Sequence, residues 1–121
     1  RGLGDVYKRQ PLLEMKEHPY TPDFMIPRDK ATACFDADKL QHPLSLRLCR
    51  QGDSFVPFGM KGRKKVSDYL TDRKFSILHK ERQWVLCCGD DIIWLVGERA
   101  DNRFRIDEKT RKVLVVSTIG Q

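Results

Sequence analysis

Leu44, Leu46 and Leu48 alternate with Ser45 and Arg47, and this period of two predicts a strand with one buried face. On that parity Arg47 points away from the core, and Arg50 falls beyond the strand end. Two apolar runs, residues 84–88 and 92–96, flank Gly89, Asp90 and Asp91, which is a hairpin signal. Residues 103–106 and 113–119 are further strand candidates, parted by a charge-rich turn over residues 107–112. Residues 31–35 form another short apolar run, after which Asp36 and Asp38 suit a turn or a short helical start. Val66, Tyr69, Leu70 and Phe75 follow a helical period instead. They predict a short helix over residues 64–74, with Ser67 and Asp68 placed to cap or charge its first turn, and a second short helix fits residues 77–83. Pro11, Pro19, Pro22 and Pro27 oppose long helix and central strand alike, so residues 11–30 are expected to be a linker or irregular lead-in. The sum is an α+β domain: a small, mostly antiparallel, sandwich-like sheet structure with one or two short helices.

A chain of 121 residues has room for one compact domain, or one domain and a tail. With 40% hydrophobic and 33% charged residues it is too apolar for disorder, and no unbroken apolar stretch is long enough to span a membrane. No secretion signal opens the sequence, so a cytoplasmic location without membrane contact is expected. Cys34, Cys49, Cys87 and Cys88 include no Cys-x-x-Cys pair and have no histidine at ligand spacing, which argues against zinc. Vicinal Cys87 and Cys88 lie in an apolar run and are expected to be reduced core thiols. His18, His42 and His79 are scattered and are given no chemistry. No nucleophile, metal cluster or acid–base pair can be named, so no residue of this chain is expected to be catalytic.

The first ten residues, RGLGDVYKRQ, match at every position one translation frame of a common sequencing-library adapter that ends in a transposase recognition sequence. They are set aside as an artefact, with the natural sequence expected from Pro11 onward as part of a longer gene.

Charge is distributed unevenly. Lys and Arg balance Asp and Glu at 7 and 7 over residues 1–43 and at 6 and 6 over residues 83–121, but stand at 10 against 4 over residues 44–82. The net charge of +6 therefore comes from the middle third. Such a block makes a local positive field that attracts polyanions, nucleic acid foremost; a solvated surface richer in Lys than Glu is the plainer reading. Within the block, residues 59–68 place Gly59, Gly62 and four cations directly before the expected helix. Glycines permit close backbone approach to an anion, helix amides donate to it, and Lys and Arg supply charge. The stretch is not a Walker loop, because the Lys-Ser/Thr pair is absent, so nucleotide triphosphate is disfavoured. A nucleic-acid phosphate needs no such cradle. The candidate contacts are Lys61, Arg63, Lys64 and Lys65, then Arg73 and Lys74, then Arg47 and Arg50. Trp84, Trp94, Phe55, Phe58 and Phe104 are expected to pack in the core rather than stack on bases, and Asp53, Asp68 and Asp72 to order cations or cap the helix.

The Leu-Ser-Leu-Arg strand, Gln51-Gly52-Asp53, residues 57–62, residues 64–70, Asp72-Arg73-Lys74, residues 91–99 and Phe104-Arg105-Ile106 occur in an order that resembles the C-terminal domain of the tRNA(Ile)-lysidine synthetase family. Residues 36–40, Pro43 and Leu44 look like its lead-in, so the resemblance covers nearly everything after Ile26 and places the domain at residues 31–121. Ser54 stands where Arg is expected, and Ser76 where Pro is frequent. The resemblance implies a fold similar to a module of the phenylalanyl-tRNA synthetase β chain. It implies a cytoplasmic parent enzyme, an ATP-dependent ligase that joins lysine to the wobble cytidine of an isoleucine tRNA. ATP and catalysis belong to a missing N-terminal domain with a Ser-Gly-Gly-x-Asp-Ser loop; this part would hold no cofactor and would bind the tRNA body, chiefly the acceptor stem. Whether the parent is a homodimer stays open. The alternative is a stand-alone basic module that binds RNA or an acidic protein.

Overall fold

The computed structural model describes residues 10–119. Nine of the ten adapter-like residues lie outside that range.

Three strands form a first sheet: β1 (Leu12–Pro19), β2 (Thr32–Asp36) and β9 (Lys112–Ile119), with β9 central and antiparallel to both neighbours. The second sheet runs β3 (Leu44–Leu48), β6 (Trp84–Cys88), β7 (Asp91–Leu95) and β8 (Arg99–Ala100), again antiparallel throughout. A two-stranded ribbon, β4 (Ser54–Phe55) with β5 (Lys64–Lys65), leads into α1 (Val66–Asp72), and α2 (Ile77–Glu81) follows. This is the expected antiparallel α+β arrangement, with β3, the hairpin and both helices close to their expected places.

Two cores lie on opposite faces of the second sheet. Ala33, Phe35 and Val116 of the first sheet meet Leu86, Cys88, Ile93 and Trp94 in one. Phe55, Val66, Tyr69 and Leu70 of the ribbon and α1 cover Val85, Cys87, Ile92 and Leu95 in the other. The register slips between Leu86 and Cys87, where Ile92 and Trp94 are paired and Ile93 is the extra residue. A bulge of this kind turns Ile93 and Trp94 to one core and leaves Ile92 and Leu95 on the other, which is why an unbroken apolar run suits β7. Burial of such side chains stabilises by roughly 1.5–3 kcal/mol each.

Two expectations change. Residues 11–30 do not form an irregular lead-in throughout, because Leu12–Pro19 is an eight-residue strand paired along its length with β9. Pro11 and Pro19 bracket it, and it lies at the sheet edge, where a missing amide costs no ladder bond. Residues 103–106 are not a strand either. Asn102–Phe104 is a 3-10 turn, started by the Asp101 side chain accepting from the Arg103 amide at 2.8 Å.

Candidate nucleic-acid interface

The ribbon builds the basic surface. Pairing of Ser54 with Lys65 and Phe55 with Lys64 makes residues 56–63 its connecting loop, so Lys64 and Lys65 sit on a strand rather than in a helix turn. Phe55 anchors the ribbon at 0% exposure, edge-on to Tyr69 with ring centroids 5.5 Å apart. Lys61, Arg63 and Lys65 are exposed, and among the described residues Lys61 and Lys65 enter no ion pair. The Arg63 guanidinium donates to Ser54 Oγ at 3.0 Å, so the serine that replaces an expected arginine steadies a neighbouring one.

Asp53 ties the start of this surface together. Its carboxylate accepts from Arg47 Nη1 at 2.8 Å and Nη2 at 3.1 Å, and from the Arg50 amide at 2.7 Å, while its carbonyl accepts from the Val66 amide at 2.9 Å. Burial pushes the Asp53 carboxyl up, but the Arg47 hydrogen bonds and the Arg50 amide outweigh it and hold the group below its ordinary range. The expectation for Arg47 is thus corrected. It does leave the first core, but the second sheet is covered on both faces, and Arg47 is a half-buried partner of Asp53 rather than an outward cation. Arg50 does lie beyond the strand end and is exposed.

Lys64 and Arg73 are also engaged. Lys64 Nζ lies 2.6 Å from Asp72 Oδ2, and Arg73 Nε lies 2.7 Å from Glu98 Oε1. The hydrogen bond to each carboxylate, more than any other contact, raises the pKa of its cation. Glu98 is a junction that sequence reading missed: its carboxylate, with the side chain 8% exposed, also meets the Tyr69 hydroxyl at 3.3 Å and Lys30 Nζ at 3.8 Å. Lys74 ends α1 in the left-handed region, φ 69°. The Lys74 amide donates to the Thr71 carbonyl and the Phe75 amide to Leu70, a Schellman ending in which Phe75 packs back on the core that holds Leu70. Arg50, Arg63 and Lys65 therefore adjoin Asp53 and Ser54, whereas Arg73 is held by Glu98.

Backbone amides add less to the site than the sequence suggests. Neither Ser67 nor Asp68 caps α1, whose N-cap is Lys65 without a side-chain cap, but Asp68 does place a negative charge in the first turn as expected. The Val66 amide is bonded to Asp53, that of Gly59 to Asn102 Oδ1 at 3.0 Å, and that of Met60 to the Pro57 carbonyl at 2.9 Å. The amides of Gly59, Met60 and Val66 are therefore engaged within the fold. The helix that is capped is α2, where Ser76 Oγ accepts from the His79 amide at 3.1 Å.

Trp94, Phe55 and Phe104 are core residues as expected, and Trp84 is half-buried, but Phe58 is 51% exposed and does not pack inside. Cys87 and Cys88 are buried free thiols, and Cys34 and Cys49 are free and half-buried. Desolvation pushes Cys34 up to about 11 and raises Cys49 and Cys87, so none of these three is a thiolate at neutral pH. No helix among the described residues is long and apolar enough to cross a membrane.

A small antiparallel α+β domain that packs its apolar residues on both faces of one sheet and displays cations on a short hairpin defines the class. Residues 44–117 match the family model described as the TilS substrate C-terminal domain, and the chain belongs to that family. It is 64% identical over 104 residues to a tRNA(Ile)-lysidine synthase of Bacteroides thetaiotaomicron, covering 86% of this chain and 24% of that protein. The corresponding protein of Parabacteroides distasonis is 60% identical over 100 residues, covering 83% and 23%. The chain thus spans about a quarter of the length of these relatives. Among solved structures, one described as a TILS C-terminal domain aligns with a TM-score of 0.70 at 19% identity, over 90% of this chain and 85% of the other. An N-terminal fragment of the phenylalanyl-tRNA synthetase β-subunit from Pyrococcus horikoshii aligns at 0.62 and 19%, over 72% and 27%. The motif resemblance and the likeness to the synthetase β-chain module both hold, the latter as a likeness of fold.

Proposed function

We propose that this domain holds the tRNA body, chiefly the acceptor stem, for a tRNA(Ile)-lysidine synthase, the ATP-dependent ligase that joins lysine to the wobble cytidine of an isoleucine tRNA in the cytoplasm. ATP and the reacting groups are assigned to another domain of that enzyme, and the residues described here are given positional roles. The observation that carries the reading is that Lys61, Arg63, Lys65 and Arg50 are all exposed, on one ribbon, its connecting loop and its flanking turn, in a chain of this family. An A-form stem hides its major-groove base edges and displays phosphates and 2′-hydroxyls, so exposed cations on a rigid ribbon suit backbone and shape recognition. Arg47, Lys64 and Arg73 act differently, because each would first have to leave a carboxylate.

A salt titration of isoleucine tRNA binding tests the reading. The wild-type chain is expected to weaken steeply with salt, and a variant with Lys61, Arg63 and Lys65 changed to Ala to lose affinity and to flatten the log–log slope by about 2–3. Equal slopes for the two proteins would remove the ribbon from the interface.

A further inference from the structure

The backbone that carries the exposed ring of Phe58 is tied down by hydrogen bonds. Met60 donates to the Pro57 carbonyl at 2.9 Å across a turn whose third residue, Gly59, has φ +88°. This is the geometry of a type II turn, and Phe58 occupies its outer corner. The Phe58 amide donates to the Ala100 carbonyl at 2.9 Å, Arg99 Nη2 donates to the Phe58 carbonyl at 2.6 Å, and the Gly59 amide donates to Asn102 Oδ1 at 3.0 Å. Four hydrogen bonds, three of them to β8 and the turn after it, fix the backbone beneath an aromatic ring that is 51% exposed, whereas Phe55 is wholly buried. Rigid presentation of an apolar surface lowers the entropic cost of binding something to it.

Beside the turn lies a groove of about 760 Å³, within the size range of small-ligand sites. Met25 and Ile26 contribute apolar wall with Phe58, and Arg28, Lys30 and Arg99 lie along its lining. Two carboxylates share that lining, Asp29 and Glu98, of which Glu98 is already engaged by Arg73 and the Tyr69 hydroxyl. Met25 is 84% and Ile26 48% exposed, so the apolar wall is open to solvent. An apolar face next to cations matches an unstacked nucleotide, whose base offers a π-face and whose phosphate carries charge. An apolar peptide would satisfy the wall but bring no anion to Arg28 and Arg99, whereas Lys30 already lies 3.8 Å from Glu98.

We propose that the Phe58 turn and its groove bind an unpaired nucleotide of the RNA held by the ribbon, with the base stacked on Phe58 and a phosphate met by Arg99 and Arg28. Arg99 donates through Nη2 to Phe58, which leaves other guanidinium N–H groups for an anion. Lys61 follows Met60 directly, so the turn continues into the loop that carries the ribbon cations. The assignment rests on the RNA-binding reading above and adds to it a site for single-stranded RNA.

The test uses the chain with two RNA duplexes of identical stem, one blunt and one carrying a single-stranded tail labelled with the fluorescent base aminopurine. The tailed duplex is expected to bind more tightly and its fluorescence to be quenched on binding. Phe58→Ala should weaken tailed binding by about 5- to 150-fold, abolish the quenching and leave blunt affinity unchanged, while Phe58→Tyr keeps both signals. An unchanged thermal midpoint in both variants separates this loss from unfolding. If the wild type binds both duplexes equally with a steep salt slope, or if Phe58→Ala weakens both alike, the nucleotide site is overturned and RNA binding by the ribbon stands. If neither duplex nor tRNA binds, both readings fall together.

Discussion

Asp101 and Asp53 each gather one arginine side chain, Asp101 with two backbone amides and Asp53 with one, and they stand in very different parts of the molecule. Asp101, at 0% exposure, accepts from the Val56 amide at 2.9 Å, the Arg103 amide at 2.8 Å, Arg103 Nε at 3.0 Å and Arg103 Nη2 at 2.9 Å. Asp53 holds Arg47 and the Arg50 amide at the rim, with its side chain 14% exposed. In the centre every acceptor is filled by groups from two separate chain segments, so the charge specifies how the ribbon meets the turn after β8. At the rim the same chemistry anchors one cation and leaves its neighbours, Arg50, Arg63 and Lys65, turned to solvent. Pairing in the interior makes structure; partial pairing at the surface leaves a field for a ligand.

The comparison can be broken most sharply at Asp101. Asp101→Ala strands the buried Val56 amide and the Arg103 amide, leaves the Arg103 guanidinium its contact with Asp91 at 3.3 Å, and is expected to lower unfolding free energy by about 2–4 kcal/mol in denaturant melts. A loss under about 1 kcal/mol would show that the buried pair does not organise the junction.

Asp53→Ala is expected to cost less, about 1–3 kcal/mol, because water reaches the rim. Its pH dependence sharpens the contrast. The folded carboxyl lies below its ordinary value of 3.8, so its contribution is fully present above that value and is lost as pH falls through the lower, folded one. The stability difference between wild type and Asp53→Asn should therefore stay level from neutral pH to about pH 5 and shrink as pH falls below 3.8. A difference that changed around neutrality would point to another group.

The smallest effect is expected at Asp72, whose side chain is 65% exposed beside Lys64. Asp72→Ala should leave the melting midpoint unchanged and strengthen tRNA binding by no more than a few fold, because an exposed pair stabilises little and its loss frees a cation. A marked drop in stability would place this pair with Asp101 rather than with the binding surface.

Much of the fold was legible along the chain, where periodicity is local. Alternating leucines mark β3, the two apolar runs around Gly89 mark the β6–β7 hairpin, and Val66, Tyr69 and Leu70 mark α1. β1 escaped because proline spacing reads as a break, whereas Pro11 and Pro19 only bracket an edge strand. The β4–β5 ribbon escaped because two-residue strands have no period to detect. Phe58 left a signal that went unread: Gly59 follows it at the position where a type II turn requires positive φ, so Phe58 falls at the turn's corner.

Charge, family and the apolar periods were determined by the sequence itself, since composition and local spacing do not depend on what lies across the fold. Which cations are available was decided only in three dimensions. Asp53 lies six residues from Arg47, Asp72 eight from Lys64 and Glu98 twenty-five from Arg73, and each pairing depends on how strands and helices are brought together. A side chain's charge is a property of the residue, but its freedom to meet a phosphate depends on which carboxylate the fold places beside it.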